Sequence, residues 1–157
     1  MQYPYPSGRA QLPLFHGAII ASSVIPLCEP STQVPAHCAD RFSELTLSGS
    51  VDNCLNLLAP VLRQLSMQQD QRWLSLIGAP PSLTQAWLRK AGLQRERILL
   101  LQAESPGAAH KLACQALQLG RSHTVVSWIN RLDDGLRNQL AGCALKGHAQ
   151  SLNIRLE

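Results

Sequence analysis

The chain has 157 residues, 45% of them hydrophobic, enough for one domain with a real core and some tail to spare. A formal net charge of +4 with only 4% aromatics argues against a dedicated nucleic-acid binder, which shows a clearer basic stripe and more stacking platforms. No run approaches the roughly 18 apolar residues of a membrane span, and no basic segment precedes the apolar stretch Gly17–Leu27 as in a signal peptide, so no membrane contact is expected and the cytoplasm is the expected location.

Residues 1–40 carry six of the ten prolines (Pro4, Pro6, Pro13, Pro26, Pro30 and Pro35) and no sustained period. They read as an extended or disordered N-terminal arm, with Ala18–Ala21 able to dock as an edge strand. Residues 41–157 read as a single α/β domain. Phe42–Leu47 alternates as a strand. Leu55, Leu58, Leu62 and Leu65 place a helix over Asp52–Met67, in which Pro60 either kinks the helix or opens a second one. Trp73–Ile77 is a short apolar run, read as a buried strand. Ser82 with Gln85 makes a capping-box pattern for a helix over Leu83–Ala91, stopped by Gly92.

Arg97–Gln102 is the next strand. Pro106 and Gly107 open a helix with Leu112, Ala113, Ala116 and Leu117 on one face, ended by Gly120. His123–Ile129 is a β-rich run. Asp133 and Asp134 start a helix whose inner face is Leu136, Leu140, Cys143 and Ala144, and Ser151–Leu156 is the last strand. Strict alternation predicts a mainly parallel sheet flanked by helices, because parallel strands need long crossovers.

Catalytic patterns are missing. The turn Gly78-Ala79-Pro80-Pro81-Ser82-Leu83-Thr84 stands where a phosphate loop sits in such folds. It has no Lys and no second Gly, and its two prolines lack N–H donors. GxGxxG and GxSxG do not occur. Five scattered cysteines (Cys28, Cys38, Cys54, Cys114 and Cys143) form neither an even disulfide framework nor a CxxC metal pair. His110 and Cys114 lie at i,i+4, a spacing that suits a packed thiol better than a nucleophile. Asp133 and Asp134 suit capping better than acid–base chemistry. No catalytic residue, cofactor or metal ligand is therefore assigned.

The most informative surface feature is basic. Arg89, Lys90, Arg95 and Arg97 fall within nine residues, opposed only by Glu96, and Arg72 opens the preceding strand. Two readings stand side by side: a solvated helix end, or a surface for an acidic partner anchored by Trp87. Trp87 itself fits either core or surface, since Leu83 and Ala91 share its helical face. A basic nucleic-acid-binding or regulatory module is the alternative.

The segments LNLLAPVLRQL (Leu55–Leu65), RWLSLIGAPPSLTQAWLRKAGL (Arg72–Leu93), ESPGAAHKLACQALQLGRSHTVVSWI (Glu104–Ile129) and LKGHAQSLNIRL (Leu145–Leu156) resemble the SulA family of SOS-induced bacterial cell-division inhibitors. The resemblance implies a RecA-like fold without a functional phosphate loop and no enzymatic activity. It implies binding to FtsZ, which blocks FtsZ polymerisation, and degradation by the Lon protease. Residue by residue, the family's contact positions fall on Arg72, Ile77, Trp87 and Arg97; the basic cluster adds Arg89 and Lys90 to the expected FtsZ-binding set. An exposed sheet edge makes a homodimer an expectation as well.

Overall fold

The computed structural model describes residues 40–157, and the N-terminal arm expected from the sequence lies outside them. Strand β1 (Phe42–Leu47) leads to helix α1 (Val51–Ser66), β2 (Trp73–Ile77), α2 (Gln85–Lys90), a 3-10 turn (Arg95–Arg97), β3 (Ile98–Leu101), α3 (Pro106–Gln118), β4 (Ser122–Ser127), α4 (Asp134–Lys146) and β5 (Gln150–Leu156). The strands form one sheet in the order β1-β5-β4-β2-β3, and every neighbouring pair is parallel. This is the expected parallel, helix-flanked α/β architecture of RecA-like type.

Alternation along β2 sends Leu74 and Leu76 to one face and Ser75 and Ile77 to the other. On the first face Leu74 and Leu76 join Ile98, Val126 and Ile154 under the α1 leucines Leu55, Leu58 and Leu62. Each such leucine contributes about 2 kcal/mol by leaving water. On the second face Ile77 and Val125 meet Ala113 and Leu117 of α3 and Leu140 and Ala144 of α4. Small residues on α3 and α4 let these two helices lie close to the sheet and to each other.

Helix starts follow local chemistry. Ser50, Ser105 and Asp133 each accept a hydrogen bond from the backbone N–H three residues on, and Pro106 takes the first position of α3, where no N–H is needed. Pro60 neither breaks α1 nor opens a second helix: α1 is continuous and Pro60 sits on its exposed side. The cap of α2 corrects the expectation. Thr84, not Ser82, accepts from the Trp87 N–H at 3.2 Å, because Leu83 N–H first closes a turn onto the Pro80 carbonyl at 2.9 Å. The prolines thus delay the helix by two residues.

The end of α2 is as expected. Gly92, at φ +73°, lets Leu93 N–H reach the Leu88 carbonyl and its own N–H reach that of Arg89, while Leu93 and Leu88 share the core. Strand β3 is shorter than expected, since residues 95–97 coil into the 3-10 turn before it.

Candidate functional site

The candidate contact residues gather at two neighbouring places, and a short loop joins them. Arg72 stands just before β2, and Arg97 just before β3. The two strands pair in parallel with Leu74 opposite Ile98, so both arginines reach the same end of the sheet. They meet on Asp70. The Arg72 Nε and Nη2 atoms hold the Asp70 carboxylate at 2.8 and 2.6 Å, and Arg97 Nη1 donates to the Asp70 carbonyl at 2.7 Å. Arg72 also donates from Nη1 to the His148 carbonyl at 2.9 Å. His148 is in the left-handed region, at φ 50°.

The Arg72 guanidinium and backbone N–H hold the Asp70 carboxyl below the ordinary carboxylate range. About one third of the Arg72 side chain stays exposed, so it is a fixed cation facing solvent. Asp70 was not singled out from the sequence. Its signal was local: an Asp two residues before an Arg whose N–H it can accept, as it does at 3.1 Å.

Trp87 lies on the α1 side. It is half-buried: it packs on the leucine core and also lines a depression of about 370 Å³ with Asn56, Ala59, Lys90 and Ala91. Both expectations for Trp87, core and surface, therefore hold in part. Lys90, three residues on, shares its face, while Arg89, two residues on, points elsewhere. Both are exposed and neither forms an ion pair among the described residues.

Ile77 is not brought to this surface. It is fully buried at the far end of β2, under α3 and α4. Trp73, read as part of a buried strand, is 43% exposed instead. The ladder to β4 slips there, with Trp73 opposite Ser122 but Leu74 opposite Thr124, so His123 bulges and Trp73 lies outside the regular packing.

Other candidate sites resolve into structural chemistry. Gly78 N–H is spent on the Leu101 carbonyl at 3.0 Å, and Thr84 N–H on that of Ser82 at 3.0 Å, so the turn after β2 has few donors left for a phosphate. His110 Nε2 lies 3.7 Å from Cys114 Sγ. Burial, then the neighbouring Cys143, pushes the Cys114 thiol up to about 12. Burial also holds the His110 imidazole below its ordinary range. A catalytic thiolate–imidazolium pair needs the opposite shifts. Asp133 caps α4 and Asp134 pairs with Arg137. Among the described residues, no three His, Cys, Asp or Glu side chains stand together as metal ligands, and no helix is long and apolar enough to cross a membrane.

Comparison with known proteins gives one answer. The profile of the family described as Cell division inhibitor SulA matches residues 42–151. A Cell division inhibitor SulA from Pseudomonas aeruginosa is 54% identical over 160 residues, covering 99% of each chain. One from Yersinia pestis is 29% identical over 114 residues, covering 73% of this chain and 67% of that one. The crystal structure of SulA from Pseudomonas aeruginosa superposes with a TM-score of 0.73 at 62% identity, covering 74% of this chain and 98% of that one.

Proposed function

Because this chain belongs to the SulA family of cell division inhibitors, we propose that it acts by binding FtsZ and occupying the surface that the next FtsZ subunit needs. The observation that carries this reading is the meeting of Arg72 and Arg97 on Asp70, four residues beyond the helix that flanks Trp87 and Lys90. Fixed cations beside a half-buried aromatic side chain suit an acidic protein surface: the charges speed encounter and the Trp supplies buried area.

In this reading Arg72, Trp87, Arg89, Lys90 and Arg97 touch FtsZ, while Ile77 acts from behind by holding β2. The protein needs no cofactor. It works in the cytoplasm during the SOS response to DNA damage and is cleared by the Lon protease. A second copy pairs with it through a free sheet edge, β1 or β3.

Sequestration involves no turnover, so GTP-dependent FtsZ polymer measured by sedimentation should fall in proportion to the inhibitor added. Trp87→Ala should weaken binding by about 2 kcal/mol or more, and Arg97→Ala by about 0.5–2 kcal/mol. A thermal melt of each variant separates lost contact from lost packing. Loss of all polymer at trace inhibitor, with FtsZ left chemically altered, would rule out a binding-only mechanism.

A further inference from the structure

The depression beside Trp87 does not end there. A second one, of about 490 Å³, is lined by Pro60, Arg63 and Gln64 of α1 and by Met67, which caps that helix. Ala59 and Ala91 line both, so the two are one groove between α1 and α2. The groove exists because those two positions carry methyl groups; a larger side chain at either would fill it. Its apolar walls are the half-buried ring of Trp87 and Met67, which is 48% exposed. Its rim carries Lys90 and Arg63.

The Arg63 guanidinium lies over Gly92, 3.8–3.9 Å from where a Cβ would stand, at the C-terminal end of α2. Neither cation forms an ion pair among the described residues. One acid, Asp52, lies at the other end of the groove. Between Pro60 and Ile98 the sequence sets Arg63, Arg72, Arg89, Lys90, Arg95 and Arg97 against Asp70 and Glu96, and Asp70 is already held by Arg72. Met67 is three residues from Asp70, within about 11 Å along the chain. The Met67 end of the groove therefore lies close to Asp70, on which Arg72 and Arg97 meet.

We infer that this groove receives an acidic, partly apolar segment of the protein partner, with Arg63 and Lys90 pairing its carboxylates and Trp87 and Met67 enclosing an apolar side chain. The inference rests on the FtsZ reading above and adds α1, with Arg63 and Met67, to the contact. An apolar-walled cleft between two helices with a cationic rim is how folded domains take such segments. Nucleic acid would gain from the cations but not from the walls.

The test measures FtsZ binding by the full chain and by four variants. Arg63→Glu reverses the rim charge at an exposed position, and Ala59→Phe fills the floor. Lys111→Glu makes the same charge change on exposed α3, away from the groove, and Arg97→Ala reports on the basic edge. Arg63→Glu and Ala59→Phe are each expected to weaken binding about tenfold or more, with Lys111→Glu close to wild type. Arg63→Glu should also flatten the salt dependence of binding. If Ala59→Phe fails to fold, Arg63→Glu, which touches no core, decides the matter.

Folded Arg63→Glu that binds like wild type, while Arg97→Ala binds weakly, overturns the groove and leaves the FtsZ reading in place. No binding by the wild type overturns both. A single-stranded oligonucleotide that displaces FtsZ from wild type, and binds Arg63→Glu more weakly, overturns the assignment to a protein segment.

Discussion

Asn153 is wholly buried in β5, and its amide spans the gap to the end of β4. Its Oδ1 accepts from Ser127 Oγ and from the Ile129 N–H, both at 3.0 Å, and its Nδ2 donates to the Ile129 carbonyl at 2.9 Å. Removing the amide strands three buried polar groups, and such groups are costly when left unpaired. Asn153→Ala should lower stability by about 2–3 kcal/mol in urea unfolding, and Ser127→Ala by clearly less. Equal losses would show that the shared amide is not the cause. Asn is a poor strand former, and its place between Leu152 and Ile154 in β5 was visible in the sequence. Its partners were not, because they lie 24 to 26 residues away. The candidate site behaves in the same way: Arg72, Trp87 and Arg97 stood out by residue type, whereas Asp70 and Arg63 matter only through where the fold puts them.

Among the helices, α3 and α4 are the most tightly joined. Gly120 and Gly147 face each other across the ends of these helices, and a Cβ on Gly147 would overlap the Leu117 carbonyl at the end of α3. Backbone cannot rotate out of the way as a flexible side chain can. Gly147→Ala should therefore cost about 2 kcal/mol or more. Gly142, inside α4, is the contrasting case. A Cβ there meets nothing within 4 Å, so Gly142→Ala should stabilise by about 0.5–1 kcal/mol through helix propensity. Thermal melts of the pair check both signs at once. Element identity was largely legible because periodicity and caps act within a few residues. The errors fell where a turn competed with a helix or a strand: Pro80 and Pro81 shifted the cap from Ser82 to Thr84, and the 3-10 turn shortened β3.

At the scale of the whole molecule, two buried imidazoles tie stability to pH. Burial holds His110 below the ordinary histidine range, with Asp133 opposing. Burial also lowers His123, with Asp70 opposing and Arg72 assisting. In the unfolded chain both take up protons near pH 6.5; in the folded chain they resist. Their contribution is complete above that value and is lost as pH falls through it toward the lower folded values. The melting temperature should drop between pH 7.5 and pH 5, and His110→Asn/His123→Gln should drop less over the same interval. A flat wild-type profile would count against this. The domain boundary is a proposal at the same scale: deleting the residues before Arg41 should leave both a cooperative melt and FtsZ inhibition, and loss of the fold on truncation would refute it.

The sequence alone determined that strands alternate with helices, where most of them begin and end, and that no phosphate loop follows β2. These follow from interactions spanning two to five residues, which any stretch of chain carries with it. Strand order, the placing of Ile77 away from the basic edge and the exposure of Trp73 were decided only by the tertiary structure. So was the bonding of Arg97 to a carbonyl 27 residues earlier and of Arg72 to one 76 residues later. Parallel pairing sets which strand ends lie side by side, and helix packing sets which side of each element meets water. Both depend on the whole sheet forming at once, so no local window of residues encodes them.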